Sequence, residues 1–464
     1  GLTGELYSIA CAGAGGDAVW MVGEGSDTGS LKFVRDEREA LKRFLAHVAA
    51  ADPDVLVGWN VVDFDLKFLE VVGKRYKLPL SLGRAGGVCD LLPPVMRRRS
   101  LRSRMPGRVV LDGISLMREA TYAFEQFSLE YVANEVLGRG KLIDPHADKL
   151  GEIRRLFRED KPALAAYNLE DCRLVLEIFE ATKLMDFALQ RARMTGLALD
   201  RQGGSVASFE YQYLPRLHRA GRVAPDAGAL DEPVASPGGY ILDSDPGLFR
   251  NVLVFDFKSL YPSIVRTFKV DPLGMMEAGD DRIEGFRGAT FAREGAILPD
   301  LIETLWKERE EAKRDGNSAL STAIKIMMNS FYGVLGTPAC RFYHPSLVES
   351  ITRRGHEIIR RSRDWFQEAG HDVIYGDTDS LFVHVDEDLD ESQSRELGHE
   401  LRDKLNAWWR ETLRAEHRIE SFLEIQFETH FLRFLMPTVR GADAGSKKRY
   451  AGLVKKGGDL ELVV

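Results

Sequence analysis

Cysteine is scarce in this chain: four in 464 residues, at Cys11, Cys89, Cys172 and Cys340. None stands in a C-x-x-C pair, so neither a zinc knuckle nor a disulfide framework is signalled, and a reducing, cytoplasmic compartment fits. Apolar runs are short. None reaches the ~18–20 residues that span a bilayer, and no basic segment followed by an apolar one marks a secretory leader. No internal repeat is visible. There is no excess of basic charge either: 63 Lys and Arg against 71 Asp and Glu give a net −8. That argues against a non-specific polyanion coat and leaves local basic grooves open. With 44% hydrophobic and 29% charged residues, the composition is that of a globular chain. The length suggests roughly three domains at ~100–200 residues each.

Local patterning places the elements. Residues 1–23 alternate around a Gly-rich turn and predict a hairpin. Glu39–Ala49 and Asp63–Tyr76 have helical spacing, with a short buried strand at Asp54–Val57 between them, which indicates an α/β unit. Residues 97–108 carry six arginines (Arg97, Arg98, Arg99, Arg102, Arg104 and Arg108) and read as an exposed basic loop. Leu164–Leu184 is helical. The segment 221–247, rich in Gly, Pro and Asp, reads as a loop before the apolar strand Asn251–Phe257. Leu298–Gly316 and Ser318–Leu335 predict two helices joined at Asp315-Gly316-Asn317. Val373–Val385 predicts two strands around a tight turn. The chain enters without Met and ends in an alternating strand, Asp459–Val464, so it reads as a piece of a longer protein.

Two groups of residues carry chemistry. Asp256 ends a buried strand, where an ionised group costs free energy unless it is paired or bound to a cation. Asp377 and Asp379 stand two apart, a spacing that puts both on one face of extended backbone. Carboxylates so close repel, and a divalent ion relieves the conflict. Oxygen-only ligands suit Mg²⁺, and two such ions can hold the attacking and leaving oxygens of a phosphoryl displacement. On the helices, Arg309 and Lys313 stand four apart, and Lys325, Asn329 and Tyr332 fall at i, i+4 and i+7, each set on one face. Together they would form a cationic pocket for a polyphosphate, with Tyr332 able to stack on a base. D-x-D in a turn is also ordinary hairpin chemistry, and Glu308, Glu310 and Glu311 make a solvated charged face the competing reading of the helices.

Three segments taken together resemble family B DNA polymerases. Asp256 through Ile264 (DFKSLYPSI) resembles the D-x-x-S-L-Y-P-S-I motif, Lys325 through Gly333 (KIMMNSFYG) resembles K-x-x-x-N-S-x-Y-G, and Tyr375 through Ser380 is Y-G-D-T-D-S. They occur in the family's order. Ser236-Pro237-Gly238-Gly239-Tyr240, Tyr332 through Gly336 and Arg440 through Gly452 are similar to bacterial members. The resemblance implies Asp256 and Asp379 as the principal metal ligands, with Asp377 adjacent. It places Tyr261 under the sugar, where it excludes a 2′-hydroxyl, beside Ser259 and Leu260. Arg309, Lys325 and Asn329, with Lys313 nearby, would hold the deoxynucleoside triphosphate. Tyr332, Gly333, Lys447, Lys448 and Tyr450 would contact primer–template DNA.

Upstream, Asn60-Val61-Val62-Asp63-Phe64-Asp65 and Tyr167-Asn168-Leu169-Glu170-Asp171 are similar to two motifs of the family's 3′–5′ exonuclease. The resemblance assigns metals to Asp65 and Asp171, the attacking water to Tyr167, and single-strand contacts to Asn60 and Phe64. The family's first exonuclease motif, D-x-E, is expected just before Gly4 and is not in this sequence. These 464 residues are therefore expected to lack proofreading that the intact protein has. The implied architecture is α/β and α+β multidomain. A ribonuclease H-like exonuclease domain (1–185) precedes a palm of antiparallel sheet and helices (186–297 and 338–464), interrupted by helical-hairpin fingers (298–337), with the thumb absent. The implied enzyme is a template-directed DNA polymerase using two Mg²⁺ ions, a bacterial cytoplasmic monomer working at the nucleoid in repair synthesis and damage bypass. A sliding clamp would be reached through sequence beyond residue 464, and no membrane is involved. The alternative is a non-catalytic, polymerase-like DNA-binding module.

Overall fold

The computed structural model describes residues 4–93, 101–140, 149–201, 203–229, 237–386, 388–438, 445–446 and 449–464. The chain divides into two compact units, Gly1–Gly204 with Asn317–Ala323, and Ser205–Gly316 with Ile324–Val464. Among the described residues no helix is long and apolar enough to cross a membrane.

The first unit opens on β1 (Ser8–Cys11), antiparallel to β2 (Ala18–Val22), which pairs parallel with β3 (Leu31–Val34). Helix α1 (Glu37–Ala51) starts at Asp36, whose side chain accepts from the Glu39 amide. Its Ala40, Leu41, Phe44 and Val48 are buried in one core with Trp20, Leu66, Leu69 and Val72. Then come β4 (Val55–Gly58), a π-helix (Val61–Leu66), α2 (Lys67–Arg75), the ribbon of β5 (Asp90–Leu92) and β6 (Arg102–Arg104), and β7 (Val109–Asp112), parallel to β4. Helices α3 (Gly113–Glu119), α4 (Leu129–Leu137), α5 (Lys149–Glu159), α6 (Lys161–Ala181) and α7 (Leu184–Thr195) follow.

Two expectations change here. The spacing of Asp63–Tyr76 predicts one α-helix, but its first turn is π. Asn60 lies in the left-handed region at φ 60°, and the Val61 amide is held by Asp112 Oδ2 at 2.8 Å. The arginine-rich segment is not simply an exposed loop. Arg102–Arg104 is strand β6, with Arg104 bonded to Asp90 at 2.6 Å. Arg108 is buried, donating to Asp52 and to the carbonyls of Leu82 and Pro53. Residues 97–100 lie outside the described residues.

The second unit is built on a six-stranded antiparallel sheet in the order β11-β12-β8-β13-β14-β15. Its elements in chain order are α8 (Ser205–Arg219), β8 (Gly247–Phe257), α9 (Leu260–Thr267), α10 (Pro272–Met276), the ribbon of β9 (Arg282–Glu284) and β10 (Thr290–Ala292), α11 (Ile297–Arg314), α12 (Ser318–Leu335, of which residues from Ile324 on belong to this unit), α13 (Pro345–Glu368), β11 (Asp372–Asp377), β12 (Ser380–His384), α14 (Glu391–His417), β13 (Ile425–Met436), β14 (Ala451–Lys456) and β15 (Asp459–Val463). The predicted strand pair and joined helices are present. One sheet face gathers Val252, Val254, Ile374, Tyr375, Phe382, Phe431, Phe434 and Met436. On the other, Phe255 meets Phe366 of α13 at 4.9 Å, and the buried Trp409 of α14 donates to Ser362 of α13 at 2.9 Å. Fully burying side chains of this size contributes ~1.5–3 kcal/mol each, so the central strand β8 is held rigidly from both sides.

A buried carboxylate anchors the root of α11. Asp271 is wholly enclosed and caps α10 through the Gly274 amide at 2.7 Å. It also accepts from the Leu298 amide at 2.8 Å and the Tyr213 hydroxyl at 3.0 Å. Burial pushes its pKa up, and these donors oppose that rise. Removing the acceptor orphans three donors. Asp271→Ala is expected to destabilise the second unit by roughly 3–5 kcal/mol, read as a shift in its urea midpoint, with Asp271→Asn losing less. A loss under about 1 kcal/mol would refute the anchoring role.

Candidate functional site

The register of the sheet brings the distant carboxylates together. Ser380 of β12 stands opposite Asp256 of β8, and the Phe257 amide donates to the Asp379 carbonyl at 2.8 Å. The β11–β12 turn consists of Thr378 and Asp379, with Asp377 opposite Ser380 and Thr378 left-handed at φ 59°. Thr378 Oγ1 donates to Asp377 Oδ1 at 2.9 Å. Burial pushes the Asp256 carboxyl up to about 7, and the negative charges of Asp379 and Glu428 add to the rise. Asp379 is raised too, by burial and then by Asp377 and Glu428, against its own amide, which lowers it.

Glu428 is a residue that the sequence reading missed. It lies where the register of β13 against β8 shifts, between Phe427 and Thr429, a bulge that turns an ordinary strand residue toward the two aspartates. No sequence signal marks a bulge of this kind. Among the described residues no three Asp, Glu, His or Cys side chains close into a metal cage. An open carboxylate set suits a hard cation that keeps water and substrate oxygens in its shell.

The tyrosines border this cluster. After β8 the chain turns at Ser259, φ 49°, and enters α9 with Leu260 buried. Tyr261 follows. Its ring lies 4.4 Å from that of Tyr332 on α12. Burial pushes its phenol up to about 12, with Tyr332, Asp379 and Asp377 contributing, so both tyrosines share the surroundings of the carboxylates. Asn329 and Lys325 are exposed one and two turns back along α12, and Gly333 is exposed beside Tyr332. On α11, Arg309 Nε is buried and meets no acceptor among the described residues. Lys313 is exposed and paired with Glu310 at 2.9 Å. That contact holds Glu310 below the usual carboxylate range, with Lys258 and Arg309 adding to the effect. The structure thus gathers Lys258, Arg309 and Lys313 around one glutamate.

Lys447 and Lys448 lie outside the described residues. The Tyr450 ring is committed to packing, 5.2 Å from Phe434 and 5.3 Å from Phe382.

The first unit has its own acidic group. Asp65 closes the π-helix and Asp171 lies on α6. Burial pushes the Cys172 thiol up to about 12, and the nearby Cys11, Asp171, Asp65 and Asp17 add to the rise. Tyr167, one turn before Asp171, packs with Val19, Met21 and Leu31. Asn168 bonds to Ser8 at 2.9 Å, fixing α6 on β1. Phe64 is 53% exposed. Asp112 also went unnoticed in the sequence. It caps α3 and holds the first amide of the π-helix that presents Asp65.

Comparisons with known proteins show the family. The pattern of DNA polymerase family B matches residues 200–461, and that of the DNA polymerase family B exonuclease domain matches residues 21–132. The chain is 50% identical over 99% of its length to DNA polymerase II of Escherichia coli, spanning 60% of that protein. It is 26% identical over 91% of its length to a DNA polymerase of Thermococcus gorgonarius, spanning 54% of it. The solved family B DNA polymerase of Pyrobaculum calidifontis superposes with a TM-score of 0.65 at 26% identity, over 97% of this chain and 55% of that one. The chain therefore spans little more than half the length of the relatives it matches. On these matches it belongs to DNA polymerase family B, with exonuclease-domain sequence ahead of its polymerase sequence.

Proposed function

We propose that this chain carries the nucleotidyl-transfer core of a template-directed DNA polymerase, with 3′–5′ exonuclease residues in its first unit. Its substrates are primer–template DNA and deoxynucleoside triphosphates. The observation that carries the reading is the placement of Asp379, in the β11–β12 turn, beside Asp256 at the end of β8, where the Phe257 amide donates to the Asp379 carbonyl and burial raises both carboxyls. A module that only binds DNA has no use for clustered carboxylates, which repel phosphate. The division into 1–185, 186–297, 298–337 and 338–464 belongs to this reading.

Asp256 and Asp379, with Asp377 and Glu428 beside them, fit hard divalent ions, and Mg²⁺ is the ion we assign. Bound there, such ions supply charge stabilisation for the attacking and leaving oxygens of an in-line displacement. The primer 3′-hydroxyl loses its proton and bonds to the α-phosphorus as the bond to pyrophosphate breaks. Arg309, Lys325 and Asn329 offer donors to the triphosphate oxygens, and Lys313 can do so once released from Glu310. Tyr261, fixed against Tyr332, closes the space a ribose 2′-hydroxyl would need. Template pairing selects the base, while backbone contacts hold the duplex without reading sequence. In the first unit Asp65 and Asp171 are the ion-binding pair and Tyr167 orients water.

Asp256→Asn and Asp379→Asn in the full-length protein should each reduce primer extension by ~1,000-fold or more. Near-normal extension by either would sink the assignment.

The raised carboxyl adds two pH effects. Its folded pKa exceeds the unfolded value, so it costs stability as pH rises from the ordinary carboxylate range through about 7. Above that pH, Asp256→Asn should therefore stabilise the ion-free protein. Solvent screening holds the gain to about 1 kcal/mol, or roughly 2–4 °C in the thermal midpoint. Mg²⁺ affinity should rise with pH through about 7 and level off above it, because the proton must leave Asp256 first. Titrations at several pH values on either side of neutrality test this, and a flat profile would count against it.

Tyr261→Ala should relax rejection of ribonucleotides by roughly 10–100-fold, read as the ratio of kcat/KM for matched deoxy- and ribonucleotides. An unchanged ratio would remove Tyr261 from sugar selection.

A further inference from the structure

The turn that carries Asp377 and Asp379 is braced from outside the sheet. The segment from Gly238 to Asp245 runs antiparallel along the free edge of β11. The Thr378 amide donates to the Tyr240 carbonyl at 2.8 Å, Ile241 bridges Asp377, the Leu242 amide donates to the Gly376 carbonyl at 2.9 Å, and the Asp245 amide donates to the Ile374 carbonyl at 2.9 Å. A left-handed threonine costs ~1–2 kcal/mol relative to ordinary backbone, and the bond to Tyr240 helps to offset it. The approach is very close. A Cβ on Gly239 would lie 2.1 Å from Thr378 Oγ1, the atom that donates to Asp377. Gly239 has ordinary backbone angles, so glycine is required there for space rather than for conformation.

The brace is itself held by α13. His356 and Arg360, one turn apart, share a face. His356 Nε2 donates to the Gly238 carbonyl at 2.7 Å, a bond available to both the neutral Nε2–H tautomer and the charged ring. The Tyr240 ring lies 5.1 Å from the His356 ring and 5.6 Å from the Arg360 guanidinium. Arg360 Nε returns to the His356 carbonyl at 3.2 Å. The preceding residue, Gly355, backs onto Tyr261, where an added Cβ would meet the ring at 3.4 Å. Adjacent residues of one helix thus support the tyrosine on one side of the carboxylates and the turn on the other.

We propose that His356 is a positioning residue for nucleotide addition. By latching Gly238 and Tyr240, it fixes Thr378 and through it the carboxylates of Asp377 and Asp379. It touches neither substrate nor the reacting atoms. The proposal rests on the reading of Asp256 and Asp379 as the ion-binding pair. Outer partners that orient ligands typically change ion affinity or activity ~10–100-fold when removed.

The test uses full-length protein. His356→Ala should lower kcat for single-nucleotide extension ~10-fold and weaken Mn²⁺ binding, measured by electron paramagnetic resonance without nucleotide, by a similar factor. The primer–template Kd and the thermal midpoint should stay near wild type. His356→Gln, whose amide can still donate to Gly238, should recover most of both losses. Gly239→Ala should reproduce the defect by displacing Thr378. Wild-type Mn²⁺ affinity and kcat in His356→Ala would overturn the proposal. So would failure of His356→Gln to improve on it, or a loss confined to primer–template Kd, which would make the segment a DNA contact. If Asp379→Asn keeps activity, the underlying reading fails. If Asp379→Asn is dead and His356→Ala is normal, only the latch fails.

Discussion

The second unit depends on a like-charge conflict that its own backbone enforces. β8 and β12 are locked in register, with Ser380 opposite Asp256 and the Phe257 amide on the Asp379 carbonyl. The aspartates cannot separate without breaking the ladder, and the ladder is embedded in aromatic and aliphatic packing on both faces. The side chains therefore respond by protonation or by taking up a cation, because the strands cannot respond by moving. Burial raises the Asp256 carboxyl to about 7, and the fixed charges of Asp379 and Glu428 add to the rise. An acidic pair on a flexible loop would relax apart and keep ordinary values.

The surroundings of the pair extend this logic. Tyr261 and Tyr332 come from helices on either side of the α11 segment in sequence, yet their rings meet at 4.4 Å. A residue of α12 is thereby tied to the turn that follows β8. Asp271 does the same for α11, whose first helical amides it receives. The two helices bearing the expected triphosphate residues are thus rooted beside the carboxylates, while Lys325 and Asn329 remain exposed. This arrangement suits groups that engage a soluble ligand rather than one another.

Much of this was legible in the sequence, because the decisive features are local. The apolar run ending in Asp256, the D-T-D turn, and the two helices around Asp315–Asn317 each follow from patterns a few residues long, and each is present. What escaped depends on partners remote in sequence. Glu428 enters the acidic cluster only because a bulge shifts the register of β13. Arg108 looks like one more cation in an arginine-rich stretch until Asp52 and two carbonyls are seen to receive it. The π-turn that presents Asp65 depends on Asp112, more than forty residues away along the chain. Tyr450 sits in a basic stretch of sequence but packs with phenylalanines from β12 and β13.

The chain's acidity and the proposed binding of a polyanion are compatible once charge is considered by place. The net −8 is a sum over the whole chain, and pairs such as Lys313 with Glu310 leave it unchanged while cancelling charge locally. A solvated pair of this kind holds its geometry by only ~0.2–1 kcal/mol, so an arriving phosphate can take the lysine from the glutamate at small cost. The buried carboxylates behave differently. Half-buried, they are screened less than a surface pair, and their negative charge falls only when a proton or a cation is taken up. On the proposed reading, the acidic centre of the ion-free protein would repel the reacting phosphates while the helices offered donors to the distal ones, and substrate binding would be coupled to cation occupancy by charge alone, with no moving part required.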